Sequence, residues 1–337
     1  MKRQNRRLLY FIVFIIIAVL FYLFYLFKEG FDTPNRGDES ECRMVSSRGI
    51  LKSCTIHSSN PVSSSDVIDN QDWSSLQEGS SVYICGTAIP NLVSLLDSIP
   101  VPFVLVSGDC DETIWSDVFP DEASFLSFIE NPKIVRWHSQ NAVGSAVGSA
   151  MSRHPKLFQI PIGLDYHSPQ DVKDIHSPVE HDQLIQSIRS SAKPWSQRLC
   201  QGYSNFHFTM TTSKYGSDRV AAKEQIPAEC VFYEPNRTDR VEGYRRQAEY
   251  AFVVSPLGNG YDCHRTWEAL CVGCIPIVRS SGLDPLYTGL PVLIVDEWSD
   301  VSMELLEKTI RDFEKRTFDY DRLTLAYWMD LIRNGPT

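Results

Sequence analysis

The chain opens with an uninterrupted apolar run. Residues 8–27 (LLYFIVFIIIAVLFYLFYLF) contain no charge, glycine or proline. Helical residues rise about 1.5 Å each, so this run is about 30 Å long, the thickness of a bilayer core. Lys2, Arg3, Arg6 and Arg7 precede it, and only Lys28 follows before Glu29 and Asp32. That asymmetry predicts a cytoplasmic tail over 1–7 and a chain that continues on the far side of the membrane. The run exceeds the roughly 7–15 residues of a cleaved signal core, and no small-x-small cleavage site follows it, so a retained anchor is expected.

From 28 to 79 the chain is polar and serine-rich, with SSNPVSSSD (58–66) as the clearest piece. It predicts a flexible stem, because such a segment buries little apolar surface. The pattern then changes. VYIC (82–85), FVLVS (103–107), KIVRW (133–137) and LFQIP (157–161) have the composition of buried strands, and NLVSLLDSI (91–99) and EASFLSFIE (122–130) have helical spacing. After a polar stretch over 168–194 the alternation restarts. FHFTMTT (206–212), CVFYE (230–234), YAFVVS (250–255), CIPIVR (274–279) and PVLIVD (291–296) read as strands, with SDRVAAKEQ (217–225) and DCHRTWEALCVG (262–273) as helices. Met303, Leu306, Ile310 and Phe313 mark one closing amphipathic helix; Leu325, Trp328 and Ile332 mark a second, stopped by Gly335. The alternation predicts an α/β fold with parallel sheets in two halves, 80–195 and 196–300, followed by helices over 301–337.

Composition narrows the function classes. A formal charge of −10 disfavours nucleic acid as a partner. The nine cysteines lack the repeated pairs of a zinc site; Cys42 and Cys54 are placed to close a loop if the compartment is oxidising. Asn236-Arg237-Thr238 is a glycosylation sequon.

The densest chemistry lies in AFVVSPLGNGYDCHRTWEALCVGCIPIVRSS (251–281). A buried strand ends in a turn carrying Gly258 and Gly260, and Asp262 is placed to cap the next helix. On a helical wheel Cys263, Trp267, Leu270 and Cys271 share one sector, while His264, Arg265 and Glu268 share another. The second face, at a helix N-terminus, suits a diphosphate, with Glu268 one turn on to accept from a ribose diol. The same spacing also fits a plain Arg265–Glu268 ion pair.

SPLGNG, CHRTWEAL, VGCIPIV and the late strand PVLIV together resemble the C-terminal half of the exostosin-like glycosyltransferases. The resemblance is strongest over 251–295 and looser before Asn205. It implies a GT-B fold, two Rossmann-like halves with a cleft between them, and a type II Golgi membrane protein with a lumenal catalytic domain. It also implies transfer of a sugar, with inversion, from a UDP-sugar donor to a glycan or glycoprotein hydroxyl. Gly258, Gly260, His264, Arg265 and Glu268 would face the donor, joined by Arg219 and Lys223, whose i, i+4 spacing equally fits a solvated helix face. No metal or cofactor is then required. The 259 residues from Gly79 to Thr337 are compact for two such halves.

Asp109-Cys110-Asp111 after FVLVS offers the alternative, an Asp-x-Asp that holds Mn²⁺ as in GT-A enzymes, although exposed acids capping a strand end have the same sequence. A further alternative is a glycan-binding protein without catalysis. Inversion needs a base to take the acceptor proton. Asp109, Asp111, His138 and Asp165, at strand ends of the first half, are the candidates.

Overall fold

Parallel strands need a crossover between each pair, and the chain supplies one by alternating short apolar runs with helices. The computed structural model describes residues 37–58, 73–143, 154–167, 175–206 and 214–335. In chain order the elements that position the cleft begin with α1 (Ser47–Ser53), β1 (Ser81–Cys85), α2 (Ile89–Val93), β2 (Phe103–Gly108), α3 (Glu122–Ile129), β3 (Ile134–Ser139) and β4 (Leu157–Gln159). Then come α4 (Pro178–Ser191), β5 (Leu199–Ser204), α5 (Gly216–Gln225), β6 (Val231–Tyr233), α6 (Arg240–Gln247), β7 (Tyr250–Val254) and α7 (His264–Cys271). The chain closes with β8 (Ile275–Arg279), β9 (Leu293–Val295), α8 (Met303–Phe313) and α9 (Leu325–Asn334).

The strands form two parallel sheets, ordered β1-β2-β3-β4 and β6-β5-β7-β8-β9. β1, β2 and β7 are buried along their whole length, as a sheet covered on both faces requires. In the second sheet the chain runs from β5 outward to β6, then crosses to β7 on the other side of β5. Strand order reverses there, and at such a point the loops after the two strands diverge and leave a crevice at their C-terminal ends.

Two expectations need correction. The stem predicted over 28–79 is not a stem in its described parts. Met44, Val45, Ile50 and Leu51 are buried in the same core as Leu164, Trp267 and Trp328, Met44 and Ser46 pair antiparallel with Thr324 and Gly163, and Ile56 pairs parallel with Val82. Short apolar stretches inside the serine-rich sequence are what dock it. The polar stretch over 168–194 contains α4, whose Ile185 and Ile188 are buried. The strand expected at 206–212 is preceded by an unexpected one, β5, and residues 207–213 lie outside those described. The apolar run over 8–27 also lies outside them, and no helix among the described residues is long and apolar enough to cross a membrane.

The nine cysteines are free thiols, and Cys42 and Cys54 are buried without bonding each other. The closing helices form where expected: Leu306 and Ile310 are buried in α8, and Leu325, Trp328 and Ile332 in α9, which ends at Gly335. α9 turns back to the first half. Arg136 of β3 donates to Ile332 O and Arg333 O at 3.2 and 3.0 Å, and Arg333 donates to Ser53 O at 3.4 Å.

Candidate functional site

A cleft of about 710 Å³ opens at the C-terminal ends of β5, β6 and β7. Its second-half wall includes Asn205 and Phe206 after β5, Glu234 to Asp239 after β6, Gly258 to Gly260 after β7, and His264, Arg265 and Glu268 of α7. The first half contributes Asp111, Ile162 and Asp165.

The SPLGNG loop is held by two consecutive residues of α5. The Leu257 N–H donates to Asp218 Oδ2 at 2.8 Å, and Arg219 Nε donates to Leu257 O at 3.1 Å. Asp218 is itself fixed by Trp298 Nε1 at 2.9 Å. Arg265, from the first turn of α7, donates to Pro256 O at 3.0 Å, and its guanidinium lies 5.2 Å from the Phe206 ring centre. Burial lowers the Arg265 pKa, and the neighbouring Arg219 charge lowers it further, against Cys263 and Glu268. A buried and a half-buried cation near one another favour an anion beside them. Lys223 does not join them: it is exposed and lies outside the cleft wall. It shares a helix face with Arg219 but sits one turn further along, as the solvated-face reading allowed.

α7 buries the sector expected of it. Trp267, Leu270 and Cys271 are all 0% exposed, and full burial of a large apolar side chain stabilises by roughly 1.5–3 kcal/mol. Asp262 does not cap this helix. The N-cap is Cys263, with no side-chain capping bond, and Asp262 lies one residue earlier. Its carboxylate instead accepts from Ile162 N at 2.7 Å, from Cys263 N at 3.0 Å, and from Trp267 Nε1 at 2.8 and 3.0 Å. It thereby ties the two halves together below the cleft. Arg265 and Glu268 form no ion pair with each other among the described residues. Glu268 Oε1 accepts from Tyr244 Oη at 2.8 Å.

The glycines have distinct neighbours. A Cβ on Gly260 would stand 2.9 Å from Asn141 Nδ2 and 3.1 Å from Asp111 O, so this glycine lets the loop touch the first half. A Cβ on Gly258 would meet Cys263 Sγ at 3.0 Å and Arg219 at 3.3 Å.

The base candidates separate clearly. His138 is 0% exposed, and its ring stacks on Phe158 at 5.1 Å with no hydrogen-bond partner for either nitrogen among the described residues. It points into packing because residue 138 falls on the covered face of β3, so it is no base for the cleft. Asp109 adopts φ 54 after β2 and is half-buried, but it does not line the cleft. Burial raises its pKa, against Arg48, His167 and His264. Asp111 lines the cleft, and burial with the nearby Glu112 raises its carboxyl, while Asn259 and His264 act the other way. Asp165 lines it too, paired with Arg240: the guanidinium donates to Oδ2 at 2.7 Å and to the main-chain oxygen at 2.8 Å. Burial would raise the Asp165 carboxyl, but His264, Arg240 and His167 outweigh it and hold it well below the ordinary range.

Three site residues had not been singled out: Arg240, Tyr244 and His167. The first two ride on α6, which the polar sequence hides. The available signal was Asp239, whose carboxylate accepts from Glu242 N at 3.0 Å at the helix start. Asp165, His167 and His264 form a group whose ligand atoms lie within 4.8 Å of one another, and neither Asp109 nor Asp111 belongs to it. Compared with models of known protein families and with curated proteins, the chain gives no match.

Proposed function

We propose that the chain is a glycosyltransferase of the exostosin-like kind, with the GT-B arrangement of two halves. It uses a UDP-sugar as donor and a glycan or glycoprotein hydroxyl as acceptor. The observation that carries this reading is the placement of Arg219 and Arg265 against the SPLGNG loop in the cleft, with Glu268 one turn further along α7. In this reading the donor diphosphate lies against the two guanidiniums and the N-terminus of α7, which stabilise charge as it develops on the leaving group. Glu268, oriented by Tyr244, takes the ribose hydroxyls. The acceptor enters from the first half, and Asp111 accepts its proton as the hydroxyl attacks the anomeric carbon from the face opposite the departing diphosphate. The anchor over 8–27 would hold the enzyme in a Golgi membrane with this cleft on the lumenal side.

Calorimetry of the detergent-solubilised full chain against a panel of sugar nucleotides tests the reading. One UDP-sugar should bind, and Arg265→Ala and Glu268→Ala should each abolish both binding and transfer while the far-UV spectrum stays unchanged. Failure of the whole panel to bind, or full activity of both variants, would overturn it.

A further inference from the structure

Asp165 and His264 line the cleft from opposite halves, and the half-buried His167 lies beside both. His167 Nδ1 is 3.1 Å from Asp165 Oδ1, and the His167 and His264 ring centres are 5.6 Å apart at 62°. We propose that Asp165, His167 and His264 hold one divalent transition-metal ion of the zinc class, with a further coordination position open to the cleft.

Ligand type, spacing and support each point this way. Two imidazoles and a carboxylate form a nitrogen-rich, borderline-soft set that suits zinc and its neighbours better than calcium or magnesium. Two ligands at about 2.0–2.1 Å from a tetrahedral ion stand about 3.3 Å apart. The Asp165–His167 pair is already at 3.1 Å, and with all three ligand atoms within 4.8 Å of one another, His264 needs a shift of no more than ~1.5 Å to complete the triangle.

The tautomer of His264 is fixed from outside. Its Nδ1 lies 2.8 Å from Gly163 O, and a carbonyl only accepts, so Nδ1 carries the proton and Nε2 presents a lone pair. Ligating histidines commonly make this second bond to a main-chain carbonyl. Asp165 is held through its Oδ2 by Arg240 at 2.7 Å, and its Oδ1 accepts from the His167 main-chain N–H at 3.1 Å. His264 and Asp165 are thus aimed by bonds that lie outside the triangle. On binding, the ion takes the place of the proton between His167 Nδ1 and Asp165 Oδ1, and that proton moves to Nε2 of the same ring, which stays neutral as a ligating imidazole must. Three protein ligands beside an open cleft leave room for water or for an anionic group of a bound molecule.

The site stands apart from the glycosyl-transfer reading, because the ion is expected to bind with or without a sugar nucleotide. The test is titration of the chelator-treated full chain, in detergent, with Zn²⁺ alone. One equivalent should bind and raise the melting temperature. His167→Ala and His264→Ala should each weaken binding at least 100-fold. His264→Asn, which keeps a donor for Gly163 O, should lose the ion while holding the unliganded melting temperature. The nine thiols are the competing ligands, so the Co²⁺-loaded protein is read for absorption: ligand-field bands without a sulfur-to-cobalt charge-transfer band support the site. Absence of Zn²⁺ binding, binding indifferent to all three variants, or a strong charge-transfer band would overturn it.

Discussion

Tyr244 and Glu268, on two different helices, meet through one 2.8 Å hydrogen bond from Oη to Oε1. The tyrosine is buried, so the bond fixes the carboxylate from behind while Glu268 faces the cleft. Tyr244→Phe removes the bond with little change of volume. A hydrogen bond to a charged group is worth about 1.5–3 kcal/mol, so UDP-sugar binding should weaken by roughly 10–100-fold. Calorimetry reads this directly, and an unchanged affinity would show that Glu268 needs no orientation.

Gly163 is a junction. It has φ 66, pairs with Ser46, and offers its carbonyl to His264 Nδ1. A methyl group there would stand 2.2 Å from Val45 O, a main-chain atom that cannot swing away. Gly163→Ala should therefore cost more than about 3 kcal/mol in denaturant unfolding, from steric overlap and positive φ together. A cost below about 1 kcal/mol would mean that residues 43–46 do not dock beside it in solution.

Acid should destabilise the fold through two buried imidazoles. Burial lowers the pKa of His138 from 6.5 to about 3, with Arg136 adding to it, and burial and Arg240 lower His181 to about 4 against Asp165. Between these values and 6.5 the unfolded chain binds more protons than the folded one. Stability is therefore complete above about pH 6.5 and falls as the pH drops through that window, by about 1.4 kcal/mol per pH unit for each histidine. His138→Phe should flatten the acid limb by one histidine's share, and it should leave cleft binding intact because residue 138 lies outside the cleft. Urea midpoints from pH 7 to pH 4 measure both effects; parallel curves would contradict the assignment.

A chain shortened to begin at Asp38 should fold, and one shortened to begin at Ser81 should not. The second lacks Met44, Val45, Ile50 and Leu51, all 5% exposed or less. At roughly 1.5–3 kcal/mol each, their loss rivals the 5–15 kcal/mol that holds a typical domain together. Size-exclusion and circular dichroism of the two chains distinguish the outcomes. A well-folded chain from Ser81 would restore the stem reading.

Periodicity carried most of the strands, because a parallel strand covered on both faces is a short block of apolar residues. It missed β5, where Gly202 leaves room for Val254: a Cβ there would sit 2.7 Å from Val254 Cγ2. It missed α4 and α6 because both are polar overall: α4 buries only a narrow stripe with Ile185 and Ile188, and α6 little beyond Tyr244. Ser177 accepts from Glu180 N at 3.1 Å as Asp239 does from Glu242 N at 3.0 Å, and these S-x-x-E and D-x-x-E spacings were readable. Of the site, the Arg265 and Glu268 face of α7 was legible from its wheel. The Asp165–His167–His264 group was not, because two of its members and the third are a hundred residues apart and only the docking of the halves joins them.

The return of α9 to the first half also bears on how the protein is made. Arg136 of β3 reaches its carbonyl acceptor Ile332 across 196 residues of sequence, and Val45 N–H reaches Leu323 O at 2.9 Å over a longer span. The first sheet therefore leaves the ribosome with part of its cover still untranslated. Until α9 emerges, that surface is open to wrong partners, and contacts this distant in sequence form slowly. Nascent chains of this protein should accordingly engage chaperones until the residues of α9 have emerged and docked.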